Sequence, residues 1–118
     1  MKFESLIPIL YSADLDKSII YYMEKLAFEK HWFWDHEKTF GGVSLDCIEI
    51  FFCKLGQGSP GTWLAVNVDN VDEYYAIILE RGANILSAPH DKPWNMREML
   101  VGDPDGHIIR FGNRIGED

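Results

Sequence analysis

Apolar residues along the chain keep two different rhythms, and the order of the rhythms repeats. Leu6 to Tyr11 is a compact apolar run that reads as a strand, and Ser12-Ala13-Asp14 after it is a helix entry signal. Leu15, Ile19, Tyr22, Met23 and Leu26 then fall on one face of an amphipathic helix. An aromatic stretch (HWFW, then Phe40), the turn Gly41-Gly42 and a strand from Asp46 to Cys53 follow. KLGQGSPG, rich in glycine, proline and serine, is the best linker in the chain.

Beyond the linker the pattern begins again. Thr62 to Val68 (TWLAVNV) is a strand, Asn70 caps the next helix with Glu73 completing a capping box, and Gly82 ends it. The apolar stripe of this helix is Val71, Tyr75, Ile78 and Leu79. With Asp14 laid on Asn70, an offset of 56 residues, Leu15 falls on Val71, Ile19 on Tyr75, Tyr22 on Ile78 and Met23 on Leu79. The tail PWNMREMLVGDPDGHIIRFGN is a hairpin about DPDG, where Pro104 presets φ and Gly106 takes a conformation other residues resist. The expected fold is α+β: one domain over residues 1–118, made of two βαβββ modules at about 1–54 and 62–115 with a linker at 55–61.

Each such module buries one sheet face against its helix and leaves the other bare, so two of them curve around a groove. Alternation assigns the faces. Ile48, Ile50, Phe52, Leu64, Val66, Val68, Ile109 and Phe111 turn to the helices; Cys47, Glu49, Phe51, Cys53, Trp63, Ala65, Asn67, Ile108 and Arg110 turn to the groove. A charge in mid-strand needs a partner or solvent, and Glu49 is the expected partner of Arg110. The strand Met96 to Val101 can be phased either way, which leaves Glu98 unassigned.

Composition sharpens this picture in a few places. The chain is 47% hydrophobic, 14% aromatic and 25% charged, as in an ordinary globular protein, and no apolar run approaches a membrane span or a signal peptide core. A cytoplasmic location is expected. A net charge of −8 argues against nucleic acid and anionic membranes as partners and favours a cationic or neutral one. Cys47 and Cys53 are too far apart along one strand for a disulfide and too few for a zinc site. His31, His36, His90 and His107 show no paired ligand spacing and are expected to be exposed or structural. Nucleophilic catalysis has no candidate motif.

The repeat ADLDKSIIYY…VDNVDEYYAII and the tail PW-x-MRE…DPDG resemble the vicinal oxygen chelate superfamily of glyoxalases, ring-cleaving dioxygenases, fosfomycin-resistance enzymes and bleomycin-resistance proteins. The resemblance implies paired βαβββ modules and a homodimer, with modules often exchanged between subunits. Its metal enzymes place four ligands at positions that here hold Ile7, Glu49, Trp63 and Arg110. Only Glu49 is a ligand type, so neither a metal nor another cofactor is expected. The combination of acidic chain, lost ligands and aromatic groove is most similar to the bleomycin-resistance group. That resemblance implies a non-catalytic protein that sequesters a cationic or planar aromatic small molecule. Expected ligand-binding residues are Trp63, Phe51, Trp94 and the Trp32, Trp34 and Phe40 stretch, with Glu49, Asn67 and Arg110 as the polar groups. The competing readings are a lyase, dioxygenase or thiol transferase with an atypical metal site on Glu49 and a His or Glu98, and a ligand-responsive interaction module.

Overall fold

A computed structural model describes residues 1–116. Strand β1 (Ile9–Tyr11) leads into helix α1 (Leu15–Ile20) and strands β2 (Lys30–Phe33), β3 (Phe40–Leu45) and β4 (Ile48–Cys53). The second module repeats this with β5 (Trp63–Asn67), α2 (Val71–Glu80), β6 (Asn84–Lys92), β7 (Met96–Gly102) and β8 (Ile108–Arg114). The two four-stranded sheets have the orders β1-β4-β3-β2 and β5-β8-β7-β6. In each, the first strand lies parallel to the last while the other pairs are antiparallel. The fold is therefore α+β and the two modules read from the sequence share one topology.

Both helix entries are capped as expected: Asp14 accepts from the Lys17 N–H at 3.3 Å and Asn70 from the Glu73 N–H at 3.1 Å. The details depart from expectation at three elements. The first strand is shorter than Leu6–Tyr11, because Pro8 has no N–H to give to β4. Helix α1 continues into a π-helical turn at Tyr21–Lys25, which keeps Tyr22 and Leu26 fully buried. Leu79 of α2 is half exposed, and the stripe runs through Val71, Tyr75 and Ile78 as expected, with Tyr74 added. Tyr74 lies against the Phe111 ring at 4.8 Å.

The DPDG hairpin joins the modules. Asp105 accepts from the Ala13 N–H at 3.0 Å and from the Ser18 hydroxyl at 3.1 Å, so one turn of the second module closes the start of α1 in the first. The Tyr22 hydroxyl donates to Asp103 at 2.8 Å and the Tyr21 hydroxyl to the Gly102 carbonyl at 2.6 Å. His107 is wholly buried at the same seam. Its Nδ1 accepts from the Thr62 N–H at 3.0 Å, which leaves the hydrogen on Nε2 to meet the Tyr11 carbonyl at 2.7 Å.

Candidate functional site

Register fixes what each sheet shows on the side away from its helix. In the first module β4 sets Glu49 opposite Ser44 and Phe51 opposite Gly42, and β2 sets Trp32 opposite Gly42. The rings of Trp32, Phe40 and Phe51 meet edge to face, with centroids 5.2 to 5.8 Å apart. Gly42 makes this possible, since a Cβ there would lie 2.9 Å from the Trp32 ring. Trp34, just beyond β2, stands exposed. The β2–β3 loop that carries it is tied by Asp35, which accepts from the Thr39 hydroxyl, from the Thr39 N–H at 2.8 Å and from the Phe40 N–H at 3.3 Å. These bonds, the Thr39 hydroxyl first, hold the Asp35 carboxyl below the usual aspartate value.

In the second module Ala65 pairs with Arg110 and Asn67 with Gly112 across β5 and β8, while β7 sets Leu100 opposite Arg110 and Glu98 opposite Gly112. Trp63 is 58% exposed on this face and Trp94, on the β6–β7 turn, is 57% exposed. The expected Arg110–Glu49 pair does not form. Arg110 Nε faces Glu98 Oε2 at 3.7 Å, and the same oxygen accepts from the Trp94 indole N–H at 3.0 Å. Glu98 belongs to the strand next to Arg110 in the same sheet, whereas Glu49 lies in the other sheet. Glu98 is 3% exposed and crosses over Gly112, where a Cβ would come within 2.9 Å of its Cγ.

Glu98 is thus the residue that sequence reasoning left out, and a signal for it was present. The DPDG turn sets Gly102 against Ile108, so every second residue back from Gly102 shares a face with Arg110. The same register adds Lys92, paired with Met96, and Arg114, also paired with Met96. Lys92 Nζ lies 5.7 Å from the centre of the Trp94 ring.

Two clefts open along the seam between the modules. One of about 210 Å³ between β4 and β5 is lined by Leu6, Pro8, Glu49, Ile50, Leu64 and Ala65, among others. A second of about 250 Å³, at the β3–β4 turn and the start of α2, takes in Asn67, Phe28 and Tyr74. The expected residues therefore fall into separate groups: the ring trio, Trp63 with Trp94 and Arg110 on the open face of the second sheet, and Glu49 and Asn67 in the seam clefts. Cys47 does not continue β4 but sits exposed before it, after Asp46 turns the hairpin at φ 52°.

Residues 6–111 match the model of the Glyoxalase/Bleomycin resistance protein/Dioxygenase superfamily, and the chain belongs to that family. No curated protein matches it. Among solved structures it is similar to a glyoxalase-related enzyme from Clostridium phytofermentans, with 21% identity, TM-score 0.81 and 98% of each chain covered. TioX from Micromonospora sp. ML1 has 20% identity and TM-score 0.80, covering 95% of this chain and 99% of that one. The bleomycin-binding protein of Streptomyces verticillus, solved with copper(II)-bleomycin, has 21% identity and TM-score 0.77, covering 99% of both chains. At these identities the likeness establishes the fold alone.

The donor set at the family's metal positions does not fit a metal. Ile7 and Trp63 supply no donor and Arg110 a fixed cation, and among the described residues no three His, Cys, Asp or Glu side chains are grouped to hold an ion.

Proposed function

We propose that this protein is a non-catalytic, dimeric binder of small molecules of the bleomycin-resistance type, which sequesters a planar aromatic compound and so confers resistance to it. The observation that carries this reading is the exposed Trp63 indole on a sheet face that its own chain leaves open, with the Trp94 indole exposed on the same wall. A flat exposed indole in a concave site grips a flat ligand by stacking. The ring trio of Trp32, Phe40 and Phe51 gives the first module a matching aromatic wall.

Calorimetry and tryptophan quenching with bleomycin-type drugs and other planar compounds test this. Binding is expected with one ligand per chain, and Trp63→Ala is expected to weaken it by about 1–3 kcal/mol at any salt concentration. Absence of binding across the whole panel, or a Trp63→Ala variant that binds as tightly as the parent, overturns the reading.

A further inference from the structure

Charge is unevenly placed on this acidic molecule. On the open face of the second sheet, Lys92 and Arg110 stand, among the described strand residues, against a single carboxylate, Glu98, in a chain whose net charge is −8. That carboxylate is out of a ligand's reach, being 3% exposed with one oxygen already taken by the Trp94 indole. Acidic partners of the neighbouring cation, Asp72 and Asp91, lie on the opposite face, where both bind Arg97. A molecule entering between Trp63 and Trp94 meets positive groups.

Arg110 is the best placed of them. Its side chain is 45% exposed, and its contact to Glu98 is through Nε at 3.7 Å, with no hydrogen bond from the two terminal nitrogens among the described residues. A guanidinium held from behind by its Nε and open at its fork is pre-set for a two-point contact with a carboxylate, sulfonate or phosphate. Glu98 is then a positioning residue: it orients Arg110 and Trp94 together without touching the ligand.

Resting on the reading that the groove holds a planar compound, we infer that this compound carries an anionic group, read by the Arg110 fork with support from Lys92. Three probes on one ring system test it by tryptophan quenching and calorimetry: 2-naphthoate, its isostere 2-naphthamide, and the cationic 2-naphthylmethylammonium. The naphthoate is expected to bind at least tenfold more tightly than the amide, with an affinity that falls as salt is raised. Arg110→Gln is expected to erase that advantage, bringing the naphthoate's affinity down to that of the amide. Arg110→Lys, which keeps the charge beside Glu98 but loses the fork, should retain only part of it, and Lys92→Gln should reduce it without disturbing Glu98. If the three probes bind equally, or the ammonium binds most tightly, the inference falls while capture of planar compounds stands. If none binds, the inference falls, and the capture of planar compounds falls with it only when the wider drug panel is silent too.

Discussion

Tyr22 shows how much a single buried hydroxyl decides. It is fully buried and donates to Asp103 at 2.8 Å. Burial raises the Asp103 carboxyl above its ordinary value, and the Tyr22 hydrogen bond pulls it partly back. A carboxyl whose folded pKa is raised costs stability once ionised, so that cost is absent below the ordinary aspartate value and complete above the folded one. Tyr22→Phe removes the lowering contribution and leaves an ionised oxygen unpaired. The variant is expected to lose about 1–3 kcal/mol at pH 7 and markedly less near pH 3.5, read from urea unfolding at both values. An equal loss at both would refute the linkage. At this scale the sequence was readable where alternation was clean: Trp63 and Arg110 do face away from the helices. Glu98 was not readable because Met96 to Val101 mixes apolar and charged residues on both faces, and only counting back from the turn phases it.

The DPDG hairpin was legible as a turn but not as a clasp, since its partners Ala13 and Ser18 are some ninety residues away in the chain. Long-range pairing of this kind leaves no local signal. Asp105→Ala removes an acceptor from a backbone N–H at the start of α1 and from the buried Ser18 hydroxyl, which also meets Ser12 at 2.6 Å. A loss of about 1–2 kcal/mol is expected, as a lower midpoint in a single urea transition, with Asp105→Asn recovering part of it. A midpoint unchanged from the parent would show that the bridge contributes nothing. The same logic explains the other departures at the level of elements. Pro8 shortens β1 through a missing donor, which the sequence did display, whereas the π-helical turn after Ile20 carries Tyr21 and Tyr22, whose hydroxyls reach Gly102 and Asp103 across the seam, contacts with no local signal.

For the whole molecule, the repeat in the sequence foretold two modules of one topology, but nothing in it placed the modules against each other. Their placement leaves apolar surface open. Trp63, Trp94, Leu86 and Ile9 are all at least 40% exposed, and Phe3 and Leu6, ahead of β1, are 93% and 88% exposed. Monomers seldom keep so much apolar surface in water, and a closed two-fold pair is the common way to cover it. A second copy would also complete the groove, since Trp63, Trp94 and Arg110 line one open wall and a site that grips a flat ligand needs another opposite it. The expected mass in solution is therefore about 27 kDa, twice the 13.6 kDa of the chain, by light scattering at micromolar concentration. Because a ligand held between two copies binds only the pair, saturating amounts of a planar probe should hold the dimer together on dilution. A species near 14 kDa, with or without the probe, would mean that each wall works alone.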